Sequence, residues 1–140
     1  MLKKNYLSNY SEELINLYQN LDLTKFDKSY SSIKSLKKNS KILIFGNGAG
    51  ASISSHFAND ISNSTNIKAL SFDNSAHLTC FANDYGFENW VKKTIEIFAQ
   101  KGDLIILISA SGESENMIRA AKFCKFKKIK FFSLTGFKKN

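Results

Sequence analysis

The sequence predicts an α/β fold in which a mostly parallel sheet lies between two layers of helices. From residue 41 onward, short apolar runs alternate with amphipathic stretches, and strands that alternate with helices form parallel sheets covered on both faces. A glycine-rich turn follows the first run and a serine-rich turn follows the third. Both turns are expected at the carboxyl ends of strands, where such sheets bind their ligands.

Two helices are predicted before the first strand. Apolar residues at spacings of three and four favour a helix over residues 2–21, and Thr24 with Asp27 resembles the capping box of a second helix. We therefore expect a single 140-residue domain with N-terminal helices (1–38) and an α/β core (39–140). Helices outside an alternating core often pack on another subunit, so an oligomer is expected.

Four strands and four helices are predicted in the α/β core. The strands are the short apolar runs at residues 41–45, 67–72, 104–108 and 128–134. The helices are the amphipathic stretches at residues 51–61, 74–83, 88–100 and 113–124. Gly86 separates the second of these helices from the third, because glycine readily ends a helix.

The composition is that of a folded protein with a basic surface. Hydrophobic residues make up 43% of the chain, and 20 Lys and Arg against 12 Asp and Glu give a net charge of +8. Arg119 is the one arginine, whereas specific nucleic-acid contacts rely on arginine. The lysines are therefore expected to form a solvated surface, and no nucleic-acid partner is predicted.

The sequence predicts a protein of the reducing cytoplasm. No apolar run reaches membrane-spanning length, and the first residues lack the apolar block of a signal peptide, so neither a membrane contact nor export is expected. Cys80 and Cys124 show no metal or disulfide spacing. Both cysteines are expected to be reduced core residues.

The segment Ser109-Ala110-Ser111-Gly112-Glu113-Ser114 joins the third strand to a helix. The free amide groups of a helix start and the helix dipole attract anions, and serine hydroxyls add donors without bulk. This arrangement predicts a phosphate site that needs no lysine. The alternative is that Ser111 only caps the helix.

The turn Gly46-Asn47-Gly48-Ala49-Gly50-Ala51 admits three hypotheses. It matches the GxGxxG/A fingerprint of dinucleotide-binding folds, in which Asp73 could hold a ribose hydroxyl, so an oxidoreductase is one of them. The second is that the glycines let the backbone approach a sugar phosphate while Asn47 supplies polar contacts. The third is that the glycines serve only a tight turn.

His56 and Asp60 lie four residues apart on a predicted helix and therefore share one face. A cation held between them could polarise a carbonyl group. Two donors are fewer than a zinc site needs, and an exposed His–Asp pair or a core histidine also accounts for the spacing.

Five motifs, in their order and spacing, make the chain resemble the sugar isomerase (SIS) domain family from the N-terminal helices to Gly136. They are FGNGA at 45–49, SHFAND at 55–60, FANDYGF at 81–87, ISASGES at 108–114 and LTG at 134–136. Within that family the chain resembles the phosphoheptose isomerases. The resemblance implies a three-layer, flavodoxin-like parallel sheet preceded by two helices.

The resemblance also implies a role for each residue that matches a family motif. Substrate contacts fall on Asn47, Gly48, Ala49, Asn83 and Asp84, and the phosphate cradle falls on Ser109, Ala110, Ser111 and Ser114. The metal ligands fall on His56 and Asp60, which match two of the residues that hold zinc, and Asp60 also matches the catalytic base.

The reaction that the resemblance implies is a ketose–aldose isomerisation of a sugar phosphate. It converts sedoheptulose 7-phosphate to D-glycero-D-manno-heptose 7-phosphate, which feeds lipopolysaccharide or capsule synthesis. Such a step passes a proton between adjacent carbons through an enediol, so it needs a carboxylate and a positive group beside the oxyanion. The implied assembly is a homodimer or homotetramer in which a neighbouring subunit completes each pocket.

The chain departs from the family pattern in three places. Gly50 stands where the family usually has serine, and Asp60 replaces a glutamate that is one methylene longer. The family's chains continue past the residue that matches Gly136, into a segment with a catalytic glutamine and histidine. The core is therefore expected to be C-terminally truncated, and a non-catalytic phosphosugar-binding or regulatory module is the alternative to an isomerase.

Overall fold

The computed structural model describes residues 4–137. The chain divides after Ser32 into two compact units, of which the first is helical and the second contains the whole sheet. The two predicted N-terminal helices are confirmed as α1 (Lys4–Gln19) and α2 (Leu23–Lys34). The organisation of the chain as one domain stays a prediction.

The apolar residues of α1 are exposed in the N-terminal unit. They recur at the helical spacing seen in the sequence, and they are Tyr6, Leu7, Tyr10, Leu14, Ile15, Leu17 and Tyr18. The helix α2 likewise has no buried residue. The two helices therefore present apolar surface that this unit does not cover by itself.

The start of α2 corrects one detail of the sequence analysis. Asp22, not Thr24, is the capping residue: its Oδ1 accepts hydrogen bonds from the hydroxyl of Thr24 at 2.6 Å and from the amides of Thr24 and Lys25 at 3.1 and 3.4 Å. The hydrogen bond from the Thr24 side chain is the main reason why the pKa of Asp22 is lowered. The prediction of a capping box on Thr24 and Asp27 was wrong, because the Asp22 carboxylate, two residues before Thr24, accepts from the amides at the start of the helix.

The second unit is built on a four-stranded parallel sheet in the order β2-β1-β3-β4. Its strands are β1 (Lys41–Gly46), β2 (Lys68–Ser71), β3 (Leu104–Ser109) and β4 (Lys130–Thr135). Its helices are α3 (Ala49–Ser64), α4 (Ser75–Tyr85), α5 (Trp90–Phe98) and α6 (Glu115–Lys127). The predicted α/β class and the parallel sheet are confirmed.

Helices cover both faces of the sheet, as the unbroken apolar strands require. On one face, Ile42 and Ile44 of β1 pack with Ala58 and Ile61 of α3. On the other face, Leu43 and Phe45 pack with a second cluster that includes Val91, Ile95, Met117 and Ala120. Since successive side chains of a strand point to opposite faces, one apolar run supplies both cores of this three-layer unit.

The two cysteines occupy different environments. Cys124 is fully buried, and burial raises the pKa of its thiol to about 12. Cys80 is exposed, so the expectation of a core residue was wrong there. Desolvation and then the neighbouring Asp84 carboxylate raise the pKa of Cys80, which disfavours the thiolate that a nucleophile needs.

None of the helices within residues 4–137 combines the length and the apolar character needed to span a bilayer.

Candidate functional site

A cleft of about 650 Å³ opens at the carboxyl edge of the sheet. The connections that leave the neighbouring strands β1 and β3 part there, because β1 is followed by a crossover to β2 on one side and β3 by a crossover to β4 on the other. Ligands of open α/β sheets bind at such a switch point. The register pairs Gly46 with Ile108 and Ser109 with Thr135, so the loops that leave β1, β3 and β4 start side by side.

The cleft has three walls, one from each of these loops. Its lining residues are Asn47, Ala49, Gly50 and Ile53 from the loop after β1 and the start of α3, Ile108, Ser109, Ala110, Ser111 and Ser114 from the end of β3 and the loop after it, and Leu134, Thr135, Gly136 and Phe137 from the end of β4 and the residues after it. Six of the predicted substrate residues thus surround one space. No lysine, arginine, histidine or carboxylate is among the described residues that line it.

Glycines shape the wall after β1. A Cβ on Gly46 would lie 2.2 Å from the carbonyl carbon of Gly50, so only glycine lets the strand pass this close to α3. The amide of Gly50 donates to the carbonyl of Asn47 at 2.9 Å, which closes the turn. Gly48, at a φ of 53°, begins α3 without a side-chain cap. A Cβ on Gly50 would meet Ile108 at 3.4 Å, so a small side chain fits there.

The wall after β3 gathers three hydroxyl groups in one turn. The amide of Gly112 donates to the carbonyl and to the hydroxyl of Ser109 at 3.1 and 3.2 Å. The amide of Glu113 donates to the Ser111 hydroxyl at 3.1 Å, and the hydroxyl oxygens of Ser109 and Ser114 are 3.4 Å apart. These contacts fold the loop around its serine side chains.

The same loop delivers the start of α6 to the cleft. Ser114 is the N-cap residue that precedes α6; its side chain makes no capping hydrogen bond, while its carbonyl accepts from the amides of Met117 and Ile118. Within residues 4–137, the amides of Ser111, Ser114 and Glu115 find no protein acceptor. Unpaired amides at a helix start attract an anion, and here no cationic side chain in the cleft competes with them.

Asn47 is held by a partner that the sequence analysis missed. The amide group of Asn116 in α6 donates to Oδ1 of Asn47 at 2.9 Å and accepts from Nδ2 of Asn47 at 3.0 Å. Asn116 is only 1% exposed. An asparagine in the first turn of a helix gives no sign in the sequence that its partner lies 69 residues away.

The wall after β4 was also missing from the predicted site. The amide of Gly136 donates to the carbonyl of Ala110 at 2.9 Å, which ties this loop to the serine turn. Thr135 adds a further hydroxyl to the cleft. The LTG motif at 134–136 was the one signal in the sequence that could have pointed to these residues.

His56 and Asp60 do not line the cleft, although they point along a surface that begins there. Nε2 of His56 lies 3.4 Å from Oδ2 of Asp60, and the two side chains are 82% and 63% exposed. Both fall on the stripe of α3 that starts with the cleft residues Ala49 and Ile53, at spacings of four, three and four. Asp60 is eleven residues from Ala49, which places it about 16 Å farther along the helix.

The described residues do not complete a zinc site. His56 and Asp60 offer one nitrogen and one carboxylate, whereas catalytic zinc is held by three protein ligands. Within residues 4–137 no group of three or more His, Cys, Asp and Glu side chains lies close enough to hold a metal.

The remaining predicted substrate residues lie outside the cleft lining. Asn83 and Asp84 occupy the last turn of α4, where Nδ2 of Asn83 donates to Oδ1 of Asp84 at 3.0 Å. Both residues are exposed. Gly48 does not line the cleft itself but connects two residues that do. The roles assigned to these three residues stay predictions.

Comparison with known sequences is consistent with this architecture. The family model described as SIS domain matches residues 9–136. The phosphoheptose isomerase of Nitratiruptor sp. is 39% identical over 86% of this chain and 67% of its own length. That of Helicobacter pylori is 34% identical over 97% of this chain and 73% of its own length, and that of Cytophaga hutchinsonii is 37% identical over 73% and 56%.

Solved structures agree with the sequences. Phosphoheptose isomerase GmhA from Neisseria gonorrhoeae superposes with a TM-score of 0.82 at 26% identity, covering 96% of this chain and 75% of that one. A phosphoheptose isomerase from Francisella tularensis, 23% identical with a TM-score of 0.81, shares the fold. The chain spans between 50% and 73% of the length of the curated relatives named phosphoheptose isomerase. With its sequence match and its three-layer sheet, the chain belongs to the SIS domain family.

Proposed function

We propose that the cleft at the carboxyl edge of the sheet binds a sugar phosphate, with the phosphate on the loop after β3. The observation that carries this proposal is the convergence of the Ser109, Ser111 and Ser114 hydroxyls with unpaired amides at the start of α6. A phosphate dianion suits such a seat because backbone dipoles and hydroxyls supply its hydrogen bonds without a cation. Relatives named phosphoheptose isomerase support the same ligand class.

The reaction proposed for this site is the conversion of sedoheptulose 7-phosphate to D-glycero-D-manno-heptose 7-phosphate. In it, a carboxylate removes a proton from C1 of the ketose while the C2 oxygen gains a proton, which gives an enediol; the carboxylate then returns its proton to C2 as the hydroxyl on C1 loses its own, which gives the aldose. Asp60 is the proposed base. The stripe on α3 from Ala49 through Ile53 to His56 and Asp60 supports an extended sugar chain that leaves the phosphate seat along this helix.

A second copy of the chain is part of the proposal. The described residues that line the cleft include no acid or base, and the apolar side chains of α1 are exposed in the N-terminal unit. We expect a homodimer or homotetramer in which α1 and α2 are covered and groups from a neighbour reach the sugar. Analytical ultracentrifugation of the full chain tests this expectation, and a monomer at micromolar concentration would oppose it.

The zinc ion suggested by the resemblance also stays a prediction. His56 and Asp60 would supply two of its ligands, and the others would have to come from outside the described residues of one chain. Metal analysis of the protein purified without chelators gives the answer directly. Zinc that is retained by the natural chain and lost in the His56→Ala variant supports the assignment.

A non-catalytic phosphosugar-binding module is the second candidate function. One observation favours it: the described residues that line the cleft contain hydroxyls, amides and apolar groups but no group that exchanges protons near neutral pH. The lipopolysaccharide or capsule role follows from the enzyme hypothesis and stays a prediction with it, and the cytoplasmic location expected from the sequence stays a prediction as well.

A ligand panel separates these candidates. We expect sedoheptulose 7-phosphate and other sugar phosphates to raise the melting temperature of the full chain, and NAD to leave it unchanged, because binding to the native state stabilises it. Product formation in a discontinuous isomerase assay would assign the enzyme, and binding without product would assign the module. Stabilisation by NAD alone would restore the dinucleotide hypothesis.

A further inference from the structure

Asn116 is the one fully buried asparagine among the described residues, and its side chain joins two walls of the cleft. Asn47, its partner, lines the cleft in the loop after β1, and Ser114, two residues before Asn116, lines it in the loop after β3. The two reciprocal hydrogen bonds of 2.9 and 3.0 Å therefore span the switch point of the sheet. They lie just beyond the register pair Gly46–Ile108, which is the last one between β1 and β3.

The hydrogen bonds of Asn116 fix the orientation of both amide groups. The backbone amide of Met117 donates to Oδ1 of Asn116 at 3.0 Å, so this oxygen faces a donor and Nδ2 faces Oδ1 of Asn47. Asn47 in turn uses Oδ1 and one hydrogen of Nδ2 on Asn116. Each amide nitrogen carries two hydrogens, so Asn47 keeps one donor for a ligand.

The helix start does not depend on this pair. The amide of Met117 also donates to the carbonyl of Ser114 at 2.9 Å, and the next amide, from Ile118, donates to the same carbonyl at 3.0 Å. The serine turn has its own internal bonds through Gly112 and Glu113. Loss of the Asn116 side chain would therefore leave the phosphate seat formed and would free the loop that carries Asn47.

We propose that Asn116 is a positioning residue, which fixes Asn47 at a set distance from the phosphate seat so that its remaining amide hydrogen meets a sugar oxygen. This inference rests on the proposed function, because it deepens the account of the same cleft. The Asn47–Asn116 hydrogen bonds matter for a ligand that contacts both walls and are irrelevant for one that occupies the serine turn alone. A sugar phosphate is a ligand of the first kind, and inorganic phosphate is a ligand of the second kind.

The test is calorimetric titration of the full chain with sedoheptulose 7-phosphate and with inorganic phosphate. For Asn116→Leu, which keeps the branching of the side chain and removes its polar atoms, we expect affinity for the sugar phosphate to fall by about tenfold or more, since Asn47 is no longer held in place to contact the sugar. Affinity for inorganic phosphate should stay within about twofold, because the serine turn needs no contact from Asn116. Asn63→Ala, an exposed asparagine of α3, is the matched control and should change neither affinity.

The double variant distinguishes positioning from a general loss of stability. Asn47→Ala should weaken binding of the sugar phosphate as much as Asn116→Leu does. The double variant should bind no more weakly than either single variant, because both changes remove the same contact between Asn47 and the sugar. Equal losses for both ligands in Asn116→Leu, or additive losses in the double variant, would overturn the inference.

A measurement on the natural chain covers the case in which Asn116→Leu does not fold. The side-chain amide resonance of Asn116 should shift when sedoheptulose 7-phosphate binds and stay in place with inorganic phosphate, although Asn116 itself does not line the cleft. An unchanged resonance at a saturating concentration of sugar phosphate refutes the positioning role of Asn116 and leaves the proposed function intact. Failure of the natural chain to bind either ligand refutes the proposed function instead.

Discussion

The loop after β3 and the middle of α3 are two parts of one proposed site, and they differ in how much of the site each supplies. The loop brings three hydroxyls, unpaired amides and a helix start together within a few residues, and the buried Asn116 ties it to the neighbouring wall. On α3, His56 and Asp60 form an exposed pair that no third donor joins within residues 4–137.

This difference separates binding from chemistry. A phosphate seat can be formed by one short segment of the chain, since backbone amides of one turn and one helix start supply most of its hydrogen bonds. Proton transfer needs groups placed within hydrogen-bond reach of the reacting carbons, and Asp60 lies about 10 Å along α3 from Ile53, the nearest residue of that helix that lines the cleft. We therefore expect the serine loop to determine the affinity for a sugar phosphate, and α3 together with groups beyond this cleft to determine turnover.

The largest expected effect compares one residue from each region. Ser111→Ala removes a hydroxyl from the phosphate seat and should weaken sugar phosphate binding by about tenfold or more, because hydrogen bonds to charged groups contribute about 1.5–3 kcal/mol. Asp60→Asn should leave affinity for the sugar phosphate within about twofold, since the base acts on the transition state and not on binding of the ground state. The same change should abolish any isomerase activity. Calorimetric titration and the isomerase assay provide the two measurements.

The exposed Ser62 of α3 offers no matched control, because its hydroxyl accepts from the amide of Ala69 and donates to its carbonyl. Ser52, on the same helix and exposed, has no such contact, and Ser52→Ala should bind as the natural chain does. If Ser111→Ala and Asp60→Asn weakened sugar phosphate binding equally, both regions would contribute to affinity, which would contradict the division of roles.

A smaller effect is expected at Gly50, where the chain departs from the family pattern. A side chain fits at this position beside Ile108, and the residue lines the cleft opposite the serine loop. Gly50→Ser should therefore tighten sugar phosphate binding by about fivefold, the gain expected from one additional hydrogen bond of about 1 kcal/mol. Gly50→Ala, measured by the same titration, separates the hydroxyl from the added methyl group, and equal affinities in both variants would count against a ligand contact.

The two histidines of the chain differ in the same way, because His77 is partly buried among aromatic rings whereas His56 is exposed. The ring of His77 lies 4.0 Å from that of Phe81 and 5.3 Å from that of Phe72, between ring centroids. Its Nε2 is 2.9 Å from the hydroxyl of Thr94, which itself donates to the carbonyl of Trp90. The Thr94 oxygen therefore accepts from His77, and Nε2 of His77 carries a hydrogen.

The smallest expected effect is a pH dependence of stability from His77. Burial lowers the pKa of His77 below its ordinary value of 6.5, so the unfolded chain binds the proton more readily than the folded one. The free energy of unfolding should therefore be constant above that value and should fall as the pH drops below it. Urea unfolding between pH 7.5 and 5 would show the loss, and His77→Phe should flatten it. The same slope in both proteins would exclude His77 as its source.

Much of the fold could be predicted because its signals are local. The run from Lys41 to Phe45 is apolar at every inner position, which suits a strand buried on both faces, and Gly86 ends a helix where the sequence predicts the break. The start of α2 was misplaced because Asp22 and Thr24 are both good capping residues. Only the backbone geometry decides which of them accepts the hydrogen bonds.

The site was predictable in part for the same reason. The serine turn and the glycine turn follow strands that are neighbours in the sheet, so their residues meet at one edge. Asn116 was out of reach, since its role depends on a partner in another loop. The spacing of His56 and Asp60 predicts a shared helix face, and it says nothing of how far that face extends from the cleft.

The most direct test of the central claim is a crystal structure of the full chain soaked with sedoheptulose 7-phosphate. The account predicts phosphate oxygens within about 3.2 Å of the Ser109, Ser111 and Ser114 hydroxyls and of the first amides of α6, with the sugar carbons directed along α3. An empty serine loop at saturating ligand, or a phosphate bound on lysine side chains elsewhere, would contradict it.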